Sequence, residues 1–317
     1  MQDRENDAMN TQRRLCAVLL VLVLNAACSS SADDFDTALH EAEVLAWRES
    51  RRASLMAPTG FLNLAGLFWL EKESSTFGSS PDNDLVFPPA ADAHAGDFHL
   101  TREGVVMVPR TGVAVYSEDE AVTEMLIADD TTDNPVMITH ASLAWTVIKR
   151  DGRYAVRLRD FEHPALASFP DLTYFPIDPS WKLEATLERY EQPQRVSVST
   201  VIEGLGWNPD SPGVAVFEKD GDTHRLEAYS SGERLFFVFG DRTNGRETYP
   251  AGRFLYAAMP GEDGRLVLDF NRAYSPPCAF NDFSTCPVAS PRNRLPIRIR
   301  AGELFDRDAY VGTVVGN

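Results

Sequence analysis

Apolar and polar positions change period twice along the chain. Leu15 to Leu24 is an unbroken apolar run of ten residues. A membrane-spanning helix needs about 20, so the run suits the h-region of an export signal, with Arg13 and Arg14 as its basic flank. From Phe35 the spacing turns helical: Phe35, Leu39, Ala42, Ala46 and Glu49 share one side, Asp33 and Asp34 offer N-caps, and Pro58-Thr59-Gly60 is the stop. Arg48, Arg51 and Arg52 fall near the helix end, where cations suit its dipole, and read as a solvated face. Past Gly60 short alternating runs take over, separated by turns such as Pro81-Asp82-Asn83, Asp151-Gly152 and Asp220-Gly221-Asp222. Strands are predicted over 84–87, 104–109, 113–116, 125–127, 143–150 and 154–159. After Trp181 they are predicted over 183–187, 195–202, 214–218, 223–229, 235–240, 253–257, 265–270 and 295–300.

The pattern predicts a mainly β protein: two packed sandwich-like or barrel-like halves preceded by one N-terminal helix. The division is a lipoprotein-type signal at 1–28, a tether and helix at 29–60, a first β half at 61–162, a connection at 163–180 and a second β half at 181–317. The segment Thr76-Phe77-Gly78-Ser79-Ser80-Pro81-Asp82-Asn83-Asp84-Leu85-Val86 resembles the opening of a forkhead-associated domain. Ser79 stands where such domains carry a phosphate-gripping Arg, and no Ser-x-x-His follows, so the likeness reaches the fold and not the phosphothreonine ligand.

Asn25-Ala26-Ala27-Cys28 at the end of the apolar run resembles the cleavage box of bacterial lipoproteins, with Asn25 where Leu is usual. It predicts export with a lipid on Cys28; an ordinary signal cut near Ala27 is the alternative. Ser29 and Ser30 after the cysteine point to the periplasmic side of the outer membrane in a Gram-negative envelope. The anchor is then the one membrane contact expected. A net charge of −17 repels nucleic acid and anionic headgroups, so neither is an expected partner.

Cys278 and Cys286 are the internal cysteines past the signal. In an oxidising envelope a disulfide is the simplest reading, with reactive thiols and a metal site as alternatives. The histidines (His40, His94, His99, His140, His163 and His224) show no zinc-ligand spacing, and no metal is expected.

Several short motifs recur in one order: Trp47-Arg48 with Arg51-Arg52, Gly66-Leu67-Phe68-Trp69-Leu70, Phe77-Gly78, Arg157-Leu158-x-Asp160 and Tyr174-Phe175-Pro176. Asp241-x-Thr243, Glu247-Thr248-Tyr249, Gly252-Arg253-Phe254 and Leu268-Asp269-Phe270-Asn271 follow. Then come Ala273-Tyr274, Pro276-Pro277-Cys278-Ala279-Phe280, Cys286-Pro287, Asn293-x-Leu295-Pro296 and Ala301-Gly302-Glu303. Together they resemble the bacterial and archaeal family called domain of unknown function 1684, over about residues 45 to 304. Ser275 stands where that family usually has Asn. The resemblance implies a shared site region and no particular reaction.

The chain has no Gly-x-Ser-x-Gly elbow, P-loop, His-Glu-x-x-His or dinucleotide fingerprint, so no cofactor is expected. The candidates are polar groups of the C-terminal block. Arg253, Asp269, Asn271, Tyr274 and Glu303 form the catalytic set, and Asp241, Thr243, Thr248 and Tyr249 the ligand-binding set. Asp269 and Asn271, two apart, share a face if both lie in a strand, and Arg253 suits bidentate grip of an anion. The leading expectation is an exported lipoprotein that binds a small or polymeric ligand near the Pro-Pro-Cys loop. One alternative is a hydrolase-like enzyme using Asp269 or Glu303 as base and Arg253 as anion clamp; the other is a purely structural envelope protein.

Overall fold

Local capping starts the first element. Asp36 accepts the N–H of Leu39 on Oδ1 at 3.0 Å, and α1 runs Thr37–Met56. The computed structural model describes residues 36–306; Cys28 and the predicted caps Asp33 and Asp34 lie outside them. The chain then reverses because Leu55 O accepts the N–H groups of Phe61 (3.2 Å) and Leu62 (3.3 Å). Gly60 is required in that turn, since a Cβ there would lie 2.2 Å from Leu55 O.

Eleven strands follow: β1 (Leu64–Trp69), β2 (Ser74–Gly78), β3 (Leu85–Val86), β4 (Gly96–Leu100), β5 (Val105–Pro109), β6 (Tyr116–Ser117), β7 (Glu120–Ala121), β8 (Met125–Ile127), β9 (Met137–His140), β10 (Leu143–Arg150) and β11 (Arg153–Asp160). They form one sheet in the order β1-β11-β10-β9-β6-β7 and another in the order β3-β2-β4-β5-β8. Phe77, Phe98, Met107, Trp145, Val156 and Leu158 build their shared apolar core. Side chains alternate along a strand, so Tyr154, Val156 and Leu158 of β11 face this core and Arg157 and Arg159 face away. Arg157 pairs in register with Thr146 and Arg153 with Arg150, which puts Arg150 on the same outer face.

The connection contains a short helix, α2 (Pro164–Ser168), capped by His163. The remaining strands are β12 (Lys182–Arg195), β13 (Val198–Ser199), β14 (Gly206–Trp207), β15 (Asp210–Lys219), β16 (Asp222–Ser231), β17 (Arg234–Phe239), β18 (Arg253–Ala258) and β19 (Arg265–Asp269). Six of them form the sheet β18-β17-β16-β15-β12-β19. Just past its edge Phe254 and Tyr274 exchange backbone hydrogen bonds of 2.8 and 3.0 Å, so the sheet is nearly a closed barrel. Phe217, Phe237, Phe239, Leu255, Leu268 and Phe270 fill it. Where β16 and β17 part, Asn293 takes the place of a strand. Its Oδ1 accepts the Glu227 N–H at 2.8 Å, and its Nδ2 donates to Glu227 O and Val238 O, both at 3.0 Å.

The protein is thus mainly β, with one long helix at the start of the described residues. Several strand expectations change. Residues 113–116 give only the start of β6, residues 195–202 only the end of β12 and the short β13, and β1, β2, β4, β7, β9 and β14 form where no strand was predicted. Residues 295–300 form no strand: Leu295 and Ile297 bond singly to Gly240 and Arg242, and the Ile299 carbonyl turns inward to a buried arginine described below. No helix among the described residues is long and apolar enough to cross a membrane.

Candidate functional site

Arg253 opens β18, and period two places it on the same side as Leu255 and Ala257, inside the barrel. Its guanidinium is fully buried. Nη2 donates to Asp241 Oδ2 at 2.7 Å and to Ile299 O at 2.9 Å, and Nη1 donates to Ala301 O at 2.5 Å. Burial lowers its pKa and Asp241 opposes that shift. Asp241 has two further donors, Thr243 N–H at 2.7 Å and Ile299 N–H at 3.4 Å. Arg253 therefore ties the 295–301 segment to the barrel, and three of its hydrogen bonds form this structural cross-link.

The other expected residues separate. Asn271 holds the connection: its Oδ1 accepts the Asp178 N–H and its Nδ2 donates to Asp178 O, both at 2.9 Å. Asp269 accepts from Asn271 N (3.2 Å) and Nδ2 (3.0 Å), and its Oδ2 meets Arg272 Nε at 3.3 Å. Thr243 and Thr248 share a hydroxyl hydrogen bond of 2.8 Å, and Asn244 donates to Thr248 Oγ1 at 2.9 Å. The turn from Asp241 to Tyr249 is a self-bonded knot of the kind Asx and Thr side chains make. Tyr249 donates through its hydroxyl to Cys278 O at 3.0 Å, and burial raises its pKa.

Tyr274 and Glu303 do meet, and α1 completes the group. Glu303 is buried; Oε1 accepts the Ser275 N–H at 3.2 Å and Oε2 lies 3.4 Å from Arg51 Nε. Arg51 also donates to Ser275 O at 2.9 Å and stacks 4.5 Å from the Tyr274 ring centre. Arg48 donates to Phe175 O at 2.9 Å and lies 4.2 Å over the Tyr174 ring. The basic face predicted to be solvated is therefore turned inward at Arg48 and Arg51; Arg52, at 3.2 Å from Asp171, is half-exposed. Burial raises the pKa of Glu303, Tyr174 and Tyr274. The Tyr174 hydroxyl and Ser275 Oγ are buried without hydrogen-bond partners. A carboxyl with this pKa suits a base, but its side chain is only 1% exposed, so a substrate does not reach it.

On the other side of the Pro-Pro-Cys loop lies a cavity of about 180 Å³. Arg150 and Arg157 from the outer face of the first sheet, Ser284, Thr285 and Cys286 from the loop, and Phe254 from β18 wall it. Arg150 is matched by Asp130, at 2.6 and 2.9 Å. Arg157 is not: Nη2 reaches only Thr285 Oγ1 at 3.5 Å, and Nε is buried with no partner. Burial, with Arg150 adding repulsion, lowers its pKa to about 10, so it stays charged at neutral pH. Arg159 beside it is held by Gly60 O and by Asn63 Oδ1 at 2.9 Å.

The predicted disulfide is not formed; Cys278 and Cys286 are free thiols. The 3₁₀ turn Pro277–Ala279 aims the Cys278 N–H at Cys286 Sγ, at 3.2 Å. A hydrogen bond from the Cys286 thiol lowers the Cys278 pKa, and burial raises that of Cys286. A wider hollow of about 590 Å³ lies beside Gly245, Glu247, Thr248 and Phe305. Glu247 there is already held by Arg298 and Arg300, at 2.6 and 2.5 Å. No three His, Cys, Asp or Glu side chains among the described residues cluster to hold a metal.

Arg157 entered the sequence reading only as part of a motif. Its alternation against Val156 and Leu158 marked an outer face, which reads as solvated until the loop at 275–287 covers it.

A family model described as protein of unknown function (DUF1684) matches residues 167–304. The chain is 30% identical to an uncharacterized protein of Haloarcula marismortui with a solution NMR structure, over 44% of this chain and 78% of that one, with a TM-score of 0.37. No curated protein matches the chain.

Proposed function

Because the chain belongs to this family of proteins of unknown function, its chemistry has to come from its own residues; we propose that it binds a small anionic ligand beneath the Pro-Pro-Cys loop. Arg157 receives the anion, and Thr285, whose Oγ1 lies 3.5 Å from Arg157 Nη2, offers a hydroxyl donor from the loop. One observation carries this reading: a half-buried guanidinium that lines a cavity, makes no ion pair with a carboxylate among the described residues and has a buried Nε with no hydrogen-bond partner. An unpaired, partly desolvated charge is costly, and a carboxylate or phosphate-sized group in a cavity of about 180 Å³ offsets that cost. This keeps the ligand near the loop where the sequence placed it and moves the receiving cation from Arg253 to Arg157.

Titration with inorganic phosphate and with acetate, followed by thermal shift, tests the proposal. Arg157→Met should weaken binding by roughly 10-fold to 100-fold, the value of a charged hydrogen bond, and Asp269→Asn should leave it unchanged. Equal binding by wild type and Arg157→Met would remove the proposal.

The same proposal places the protein outside the cytoplasm, held by a lipid on Cys28, on the strength of the apolar run and Ala26-Ala27-Cys28. Metabolic labelling with a tagged fatty acid should mark the wild type and not Cys28→Ala; label on both would refute the anchor.

A further inference from the structure

We infer that Cys278 and Cys286 are a thiol–disulfide exchange pair acting on small anionic disulfides held by Arg157. This rests on the anion reading of the same cavity and names its substrate class. Three features converge. Cys286 lines the cavity that Arg157 lines. The Cys278 N–H donates to Cys286 Sγ at 3.2 Å, a contact that stabilises negative charge developing on that sulfur. Interaction with the Cys286 thiol lowers the Cys278 pKa, while burial raises that of Cys286. Cys278 is thus the first to give up its proton.

The arrangement sets an order of events. Cys286 passes its proton to the neighbouring Cys278 thiolate. Its sulfur attacks one sulfur of the bound disulfide RSSR; the Cys286 S–S bond forms, the substrate S–S bond breaks and RS⁻ leaves. Cys278, now a thiol, loses its proton to solvent and attacks Cys286 in the mixed disulfide, so a second RS⁻ leaves. The two cysteines are oxidised to a disulfide and RSSR is reduced to two thiols. The oxidant is the substrate itself. Arg157 holds the anionic arm and lowers the charge cost of the departing thiolate, so it is a positioning residue for the exchange.

The test uses the reduced full chain with Cys16→Ser and Cys28→Ser, which leaves Cys278 and Cys286 as its two thiols and serves as wild type here. It is treated with dithiodiglycolate (a dianionic disulfide) or cystamine (dicationic) and followed by mass spectrometry and thiol titration. Wild type should lose both thiols to an internal disulfide and release two thioglycolates per chain. Cys278→Ser should stop at a mixed disulfide on Cys286. Arg157→Met should slow dithiodiglycolate by roughly tenfold, the effect of losing one charged contact, and leave the cystamine rate within about twofold. The inference fails if phosphate binds through Arg157 while neither disulfide reacts, an outcome that leaves the anion site standing. It also fails if the adduct forms on Cys278 in Cys286→Ser and never on Cys286 in Cys278→Ser. If both disulfides react alike in wild type and Arg157→Met and phosphate does not bind, the exchange mechanism and the anion site fall together.

Discussion

Replacing Arg253 with Met separates a structural arginine from an anion clamp. Met keeps the apolar stem in the barrel and removes the guanidinium. The Asp241 carboxylate, with no exposed side-chain surface, loses its partner at 2.7 Å and keeps the Thr243 N–H. The carbonyls of Ile299 and Ala301 lose their donors at the same time. Removing one side of a buried pair costs about 3–5 kcal/mol. Each orphaned carbonyl adds about 1 kcal/mol, part of which the irregular 295–301 segment recovers by moving toward water. We set the loss at about 4 kcal/mol, or roughly 8–16 °C in Tm for a chain of this size. Asp241→Asn keeps an acceptor for Thr243 and leaves the guanidinium two carbonyls, so it should cost about 3 kcal/mol. Urea denaturation measures both, and phosphate titration of each folded variant completes the test. A cost below about 1 kcal/mol for Arg253→Met would refute the cross-link. So would a fully stable variant that no longer binds phosphate.

Three further expectations follow from the same geometry. Burial raises the Glu303 pKa above its unfolded value of about 4.3, so its contribution is fully present below that value and lost as pH rises through the folded pKa. Glu303→Gln should flatten Tm against pH above about 4.3, and an unchanged slope would show that Arg51 compensates the charge fully. Asn293→Ala removes three hydrogen bonds between β16 and β17 and should cost about 2–4 kcal/mol in urea; a loss under about 1 kcal/mol would mean the strands re-pair. Gly302 has φ +82°, and a Cβ there would lie 2.4 Å from Ala273 O. Gly302→Ala should therefore cost about 1–3 kcal/mol, read from its thermal midpoint, and a neutral result would refute the close approach.

Strand period made the fold class readable, and it also held the answer for Arg253. In Arg253-Phe254-Leu255-Tyr256-Ala257, alternation puts the arginine with Leu255 and Ala257, the inward pair. A charge on an apolar face calls for a buried counter-ion, and Asp241 supplies it. Asp269 and Asn271 sit two apart as noted from sequence, but the chain leaves β19 for a 3₁₀ turn there; Asp269 binds the local backbone, while Asn271 binds the backbone of Asp178 in the connection. Other joins were beyond sequence reading. The Trp47-Arg48-x-x-Arg51 comb resembles any solvated helix face, because its partners Tyr174, Tyr274 and Glu303 lie more than a hundred residues away. Arg157 was hidden for the same reason: the loop that covers it comes from the far end of the chain.

The docking of α1 also has a kinetic consequence. A ribosome delivers Trp47, Arg48 and Arg51 first, yet the rings and carboxyl that seat them arrive with residues 174, 274 and 303. Closing such distant contacts is slow, and a helix whose own side chains await the last-made segment stays undocked throughout synthesis. Its aromatic and cationic flank is then open to holdases or to a second nascent copy, so truncations upstream of Glu303 should yield sticky, protease-sensitive chains rather than smaller stable ones.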